Sequence, residues 1–465
     1  MSDYNIDEKL ELNIGESEEP VRVITVGVYE TGDEDAGSEE DFRQSMDELD
    51  ELARSCRMNP VSRVVQNLPH ASNASYIGQG KIEEMHAYIE EAQAELVLIN
   101  DTLSPSQLKN LQTALQLPVM DRTALILEIF RSRARSREAR LQVEYARLGY
   151  IRTRLIGMWD TLGRKGGASG SQSSRGEGET QLELDRRAID RRLAELRKEL
   201  KKVTGERETQ RKKRQSSALP LAALVGYTNA GKSTIMNSLI AKYSGPEEKK
   251  VFEADMLFAT LDSSVRRIDT GDHHPFLLSD TVGFIHKLPA GLVEAFKSTL
   301  EEASHADLLV HVVDCSNERY KTHMEVTQKT IAELGAGGIP QLIVFNKADL
   351  CEPPMEFPKE GNEIRNESGE VSRAIYISAK EDASLDLLVK SITEALFGAQ
   401  TEAEFLVPYA EGQVVHEMMT EARVLRTSYE AEGTLLTALC TRKQCEKYRK
   451  YLRGQNSVPQ EEKAE

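Results

Sequence analysis

Nineteen residues constrain this chain more than any others. "LAALVGYTNAGKSTIMNSL" (221–239) has the pattern of a hydrophobic strand, a glycine-bearing loop and a helix. Gly226 to Ser233 match G-x-x-x-x-G-K-S, and the strand before and helix after make the match specific. Such a loop turns its backbone N–H groups, with the N-terminus of the helix behind it, towards phosphate oxygens. Gly226, Tyr227, Thr228, Asn229, Ala230, Gly231, Lys232, Ser233 and Thr234 are therefore the expected phosphate cradle. Lys232 would neutralise the β/γ-phosphates, and the Ser233 hydroxyl would ligate Mg²⁺. Strands and helices alternate from 216 to about 400, which predicts an α/β domain with a doubly wound, mostly parallel sheet.

The base is chosen further along. "QLIVFNKADL" (341–350) ends a strand in N-K-x-D. Asp349 can accept from both N1–H and the 2-amino group of guanine, a donor pair that adenine lacks, while Asn346 and Lys347 brace the loop. "YISAK" (376–380) puts Ser378, Ala379 and Lys380 at the end of the next strand, where a backbone N–H can meet the guanine O6. These motifs in this order point to GTP rather than ATP. "FLLSDTVGFIHKLP" (276–289) supplies D-x-x-G: Asp280 would hold Mg²⁺ through water and the Gly283 amide would contact the γ-phosphate. Thr260, in "DMLFATLDSS" (255–264), is the expected Mg²⁺-binding threonine of a loop released after hydrolysis. Lys232, Thr260 and Gly283 form the expected catalytic set. Where Ras-type enzymes carry a water-orienting Gln, this chain has Phe284, which can neither orient nor deprotonate water. Asn229 leaves two readings open: it holds a K⁺ that bridges the β/γ-phosphates, or it only shapes the loop.

Charge is distributed unevenly. The formal net charge is −17. Residues 1–50 hold 17 acidic and 3 basic side chains, whereas residues 131–215 hold 24 Lys/Arg and 12 Asp/Glu. A basic segment inside an acidic protein suggests a localised polyanion contact, or else a solvated coiled coil. Within it, a helix over roughly 122–158 places Leu141, Leu148 and Leu155 seven apart. A second over 180–214 steps Ile189, Leu193, Leu196, Leu200 and Val203 by fours and threes, a heptad seam. The Gly/Ser-rich loop between them (162–179) carries Arg164, Lys165 and Arg175, candidates for RNA phosphates.

The expected order is an acidic extension with one strand (1–41), an α/β subdomain (42–121), the basic helical hairpin (122–215), the nucleotide domain (216–400) and a small α+β unit (401–465). In the α/β subdomain "KIEEMHAYIEEAQA" (81–94) and "SPSQLKNLQTALQ" (104–116) have helical patterns, the latter with Ser104 as N-cap and Pro105 in the first turn. "EPPMEFPKEGNEIRNESGE" (352–370) is expected as a surface loop of the nucleotide domain. Five cysteines form no C-x-x-C pair, nine histidines show no metal spacing, and no run of about 18 apolar residues predicts a membrane span. A reduced, cytoplasmic, monomeric protein is expected, in part at a membrane surface.

Several phrases resemble the HflX family of ribosome-associated GTPases: "GYTNAGKST", "LFATLD", "DTVGFI" followed by "LP", "NKAD", "YIGQGKIEE" (76–84), "DTLSPSQLKNLQ" (101–112), "DRTALILEIFRSRA" (121–134), "LQVEYARLGY" (141–150) and "RGEGETQLELDRR" (175–187). The resemblance covers about 42–400, with a looser echo in "VPYAEG" (407–412). It implies the last four of these five parts, the acidic extension lying outside it, with binding of GTP and GDP, and a large ribosomal subunit and its rRNA as partner. It also implies ribosome-stimulated hydrolysis and dissociation of stalled or idle ribosomes, with the hairpin tip reaching towards the peptidyl-transferase region. Two departures bear on the hairpin. The family usually has Pro where Glu177 stands, and commonly Leu-Pro where Arg152 and Thr153 stand. A G protein acting on another RNA or an RNA-modification partner, and a GTP-sensing scaffold, are the alternative functions.

Overall fold

The computed structural model describes residues 19–31, 38–164, 173–215, 219–243, 264–269, 271, 274–281, 283–285, 303–351, 362–365, 371–398, 401–440 and 442–453. The chain forms two compact units, the first drawn mainly from residues up to 210 and the second mainly from residues after it.

The first unit opens with β1 (Val21–Glu30), α1 (Glu39–Ser55), β2 (Met58–Leu68), α2 (Gln79–Ala92), β3 (Leu96–Ile99), α3 (Pro105–Leu115) and β4 (Val119–Asp121). All four strands are parallel, in the order β2-β1-β3-β4. The strand at 21–30 is therefore interior to this sheet and not part of an extension before it, as the boundary at 42 had it. Its residues Val23 to Val28 are buried in succession, as a strand covered on both faces requires. The acidic run beside it also has structural work. Ser38 and Asp41 form a reciprocal capping box at the start of α1, and Glu39, Glu40 and Asp41 put negative charge on its first turn. Ser104 and Gln107 make the same box on α3, with Pro105 in the first turn.

The helical region differs from its expected form in two places. The single helix over 122–158 is two helices, α4 (Arg122–Arg133) and α5 (Arg137–Arg164). Ala134 leaves helical geometry at ψ 107°, and the Ser136 hydroxyl accepts the Ala139 N–H at 3.0 Å to start the second helix. The last helix, α6, runs Ser173–Gln215, so it begins seven residues before the expected start and takes in much of the Gly/Ser-rich segment. Leu141, Leu148 and Ile151 of α5 pack with Ile189, Leu193 and Leu196 of α6, flanked by Leu200 and Val203. Cross-helix pairs fix an antiparallel register: Arg137 with Glu199 (3.3 Å), Glu144 with Arg192 (2.8 Å) and Arg152 with Asp190 (2.8 Å). α5 runs unbroken through Arg152 and Thr153, where the family commonly places a proline.

Asp121 ties β4 to two helices. Its carboxylate accepts from the Leu103 and Ala124 N–H groups at 3.0 and 2.9 Å and from the Tyr150 hydroxyl at 2.6 Å, and it pairs with Arg154.

The second unit contains β5 (Leu221–Gly226), α7 (Lys232–Tyr243), β6 (Ser264–Ile268), β7 (Phe276–Asp280), β8 (Leu308–Asp314), α8 (Tyr320–Glu333), β9 (Gln341–Asn346), β10 (Asn362–Arg365), β11 (Val371–Tyr376) and α9 (Asp382–Phe397). The sheet order is β10-β11-β9-β8-β5-β7-β6, with the five inner strands parallel and both edge strands antiparallel. β10 lies inside the segment expected as a surface loop. Its "NEIR" has a single apolar residue, too little to announce a strand whose partner is supplied from outside. Beyond this sheet follow β12 (Thr401–Val407), α10 (Gly412–Glu421), β13 (Arg423–Glu430), β14 (Gly433–Cys440) and α11 (Arg442–Lys447). β12, β14 and β13 form an antiparallel sheet in that order, around Phe405, Val407, Met418, Leu436 and Ala438. This is the make-up of the small α+β unit expected at 401–465.

Candidate nucleotide site

The candidate residues collect at the carboxyl ends of β5, β7, β8, β9 and β11, the edge where doubly wound sheets bind ligands. β5 ends at Gly226 with φ 149°, and a Cβ there would lie 2.2 Å from the Val312 carbonyl oxygen. Gly231 has φ 94°, and its Cβ would meet the Asn346 amide nitrogen at 2.2 Å. Both glycines of the motif are thus required by backbone angle and by space. Asn229, exposed at the loop's apex, holds φ 60°, a conformation that Asn tolerates better than most residues. This supports the loop-shaping reading of Asn229 and leaves the K⁺ reading to measurement. Tyr227 stacks on His323 with centroids 3.9 Å apart, while Thr228 and Ala230 are buried. Thr234 lies in the first turn of α7, behind Ser233.

Lys232 is buried and donates to the Gly226 and Tyr227 carbonyls at 3.0 and 2.7 Å. Burial lowers its pKa to about 8, against the opposing pull of Asp280. A bound polyphosphate would restore the charged form. The Ser233 hydroxyl donates to Asp280 Oδ2 at 2.8 Å, and Asp280 is fully buried at the end of β7. These two oxygens, side by side beneath the phosphate cradle, are the hard donors that Mg²⁺ prefers, and the pair fits the ion. Thr260, the third expected ligand, lies outside the described residues.

Gly283 is constrained by space alone. A Cβ there would approach Thr228 Cα and Cγ2 at 2.8 Å and Lys232 Nζ at 3.1 Å. Its amide therefore belongs to the immediate surroundings of the Lys232 ammonium. Phe284 follows with its ring 2% exposed. Its main chain is hydrogen-bonded to the loop on both sides: its N–H donates to the Gly226 carbonyl at 3.2 Å, and its carbonyl accepts the Thr228 N–H at 2.8 Å.

Asn346 joins the two halves of the site. It is 2% exposed, donates its amide to the Ala230 carbonyl at 3.0 Å and accepts the Ala379 N–H at 3.1 Å. The Ala379 N–H is thereby engaged within the protein. The Lys380 N–H, at 3.4 Å from the Ser378 hydroxyl, is the more loosely held donor for a base oxygen. Lys347 has φ 63° and pairs with Asp314 at 2.7 Å, which holds the turn bearing the exposed Asp349. Ser378 is buried and its N–H donates to the Ser384 hydroxyl at 3.2 Å.

Two participants gave little sign in the sequence. Asp314 ends an apolar strand, and only the neighbouring strand shows that it anchors Lys347. His311, in the same strand, is 1% exposed, and its Nδ1 meets no hydrogen-bond partner among the described residues. Burial, with Lys232 nearby, lowers its pKa to about 4. At the other candidate surface, Arg164 closes α5 and Arg175 lies in the first turn of α6, while Lys165 falls outside the described residues.

Comparison with known proteins covers most of the chain. Family models described as GTP-binding GTPase N-terminal, GTP-binding GTPase middle region and 50S ribosome-binding GTPase match residues 43–131, 133–214 and 221–347. A "GTPase HflX" of Caldanaerobacter subterraneus is 40% identical over 409 residues, covering 88% of this chain and 90% of its own. That of Escherichia coli is 37% identical over 414 residues, covering 89% and 92%. Among solved structures, a GTP-binding protein from Sulfolobus solfataricus in complex with GDP aligns at 23% identity and a TM-score of 0.40, covering 81% of this chain and 99% of that one. No described helix is long and apolar enough to cross a membrane. A nucleotide-loop domain preceded by both N-terminal family regions, with full-length relatives at this identity, places the chain in the HflX family of GTPases.

Proposed function

We propose that this chain binds GTP and GDP, hydrolyses GTP with Mg²⁺, associates with the large ribosomal subunit through its helical hairpin, and dissociates stalled or idle ribosomes. The observation that carries the nucleotide part is Asn346, which hydrogen-bonds the phosphate loop on one side and the Ser378–Lys380 segment on the other. One residue thus registers the base-reading groups against the phosphate-reading groups. The ribosomal part is supported by the family relationship and by the match to a model described as a 50S ribosome-binding GTPase.

In this reading Asp349 selects guanine, the loop amides hold the phosphates, and Lys232 offsets charge developing between the β- and γ-phosphates. Mg²⁺, when bound at Ser233 and Asp280, would supply Lewis-acid neutralisation of the same oxygens. The Gly283 amide faces the γ-phosphate. The phenyl side chain at position 284 cannot orient water, and the ring is already withdrawn into the protein. Water is placed by backbone groups that become ordered when the ribosome engages the loop after Asp280. Intrinsic turnover is accordingly slow and stimulated by large subunits.

Sucrose-gradient sedimentation of ribosomes with the protein, in GTP, a non-hydrolysable analogue and GDP, tests binding and splitting together. Equal GTPase rates with and without large subunits would refute the activation step. Exchange of K⁺ for Na⁺ at fixed ionic strength decides the role of Asn229, because an unchanged rate rejects the cation.

A further inference from the structure

Two cysteines flank the guanine-reading turn. Cys315 follows Asp314 at the end of β8, and Cys351 follows the short 3-10 turn Ala348–Leu350 that carries Asp349. Their sulfurs are 3.3 Å apart. Cys315 is held there from both ends, its N–H and its thiol each donating to the Asn346 carbonyl at 3.0 Å. Both side chains are half-buried, which admits a molecule as small as peroxide.

We propose that Cys315 and Cys351 form a disulfide when the protein meets hydrogen peroxide, and that the bond slows exchange of guanine nucleotide. A disulfide needs the sulfurs about 2 Å apart, an approach of about 1.3 Å from where they stand. Cys351, whose N–H closes the 3-10 turn on the Ala348 carbonyl at 3.3 Å, would make the approach. The chemistry balances with peroxide as oxidant. The Cys351 sulfur attacks a peroxide oxygen, the O–O bond breaks, and the leaving hydroxide takes the thiol proton as water, leaving a sulfenic acid. The Cys315 sulfur then attacks the Cys351 sulfur, the S–O bond breaks, and the second hydroxide leaves with the Cys315 proton. Two thiols and one peroxide give one disulfide and two waters. The Cys315 thiol is held by its bond to the Asn346 carbonyl, which leaves Cys351 to meet peroxide first; burial pushes the Cys315 thiol up, so closure speeds up as pH rises.

The consequence for exchange rests on reading Asn346–Asp349 as the guanine loop. Asp349 must swing aside for the base to leave, and the cross-link would fasten the far end of its turn to β8. The full-length protein is treated with hydrogen peroxide at pH 7 and pH 9, alkylated and mapped by peptide mass. Release of a fluorescent GDP analogue is then timed before and after dithiothreitol. A linked Cys315–Cys351 peptide, forming faster at pH 9, is expected. Release should slow about fivefold, within the restriction that a cross-link imposes on an open state, and recover on reduction. Cys351→Ser and Cys315→Ser should each abolish the linkage and keep the release rate of the reduced protein. Absence of the linked peptide overturns the site. A linkage with unchanged release overturns the control of exchange. A reduced protein that does not bind the analogue overturns the guanine-loop reading and the exchange claim with it, while the peptide map still judges the disulfide.

Discussion

Asn346 and His311 show how differently single residues declare themselves. Asn346 was legible because N-K-x-D is a local pattern, but its bridging role depends on two loops brought together by the sheet. Asn346→Ala should leave the Ala230 carbonyl and the Ala379 N–H without this partner, at a cost of about 2 kcal/mol or more in denaturant unfolding. Asp349→Ala should do the reverse, losing guanine affinity with little change in stability, since the carboxylate that would read the base is exposed. An Asn346→Ala variant that unfolds at the wild-type midpoint would contradict the bridge. His311 was illegible because a lone histidine in an apolar strand does not reveal what lies beneath it. Its pKa of about 4 sits below the ordinary value, so the unfolded chain takes up the proton first as pH falls. Stability from this group is complete above the ordinary histidine range and drains away as pH drops through about 6.5 to 4, with a slope approaching 1.4 kcal/mol per pH unit. His311→Asn should flatten that slope, measured as unfolding midpoint against pH. An unchanged slope would show that His311 takes up its proton as readily in the folded as in the unfolded chain.

At the scale of elements, the hairpin separates packing from charge. Leu193 is 5% exposed in the seam, and Leu193→Ala should destabilise by about 2–4 kcal/mol. Arg192 and Glu144 are 42% and 40% exposed, and breaking their pair should cost below about 1 kcal/mol, less in high salt. Thermal melts of the two variants side by side check this ordering. The seam was readable because four-three spacing is written along one segment. The break at Ala134–Ser136 was not, since it depends on one serine cap within a run that otherwise favours helix. β10 and β12 were missed for different reasons: β10 has a single apolar residue although its partner β11 follows directly, while β12 pairs with β14 across an intervening helix and strand. β1 was seen as a strand, yet its place between β2 and β3 was hidden by the acidic sequence around it. Composition suggested a tail, whereas part of the charge caps α1.

For the whole molecule, the paired arginines revise the picture of a uniformly basic surface. Arg137, Arg152 and Arg192 are already matched to carboxylates, so the cationic groups left for phosphates are fewer than the charge count implies. Ribosome binding should still weaken with salt, but with a log–log slope set by the unpaired Lys and Arg alone. Substituting Arg164 and Lys165 together should reduce that slope by about 1–2, whereas substituting Arg152 should leave it almost unchanged. Sedimentation across a KCl series measures it, and a slope indifferent to all three would move the contact away from the hairpin. The strand order of the second unit has a further consequence, in time. β5, which ends in the phosphate loop, is made before each of its sheet partners, and Asn346 cannot reach Ala379 until β11 and the residues after it exist. At ribosomal rates of about 5–20 residues per second, the interval from Gly226 to Lys380 is roughly 8–30 s. For most of that time the nascent chain carries a phosphate loop with no means of choosing guanine, and the bridge through Asn346 closes only once the last parallel strand has been made.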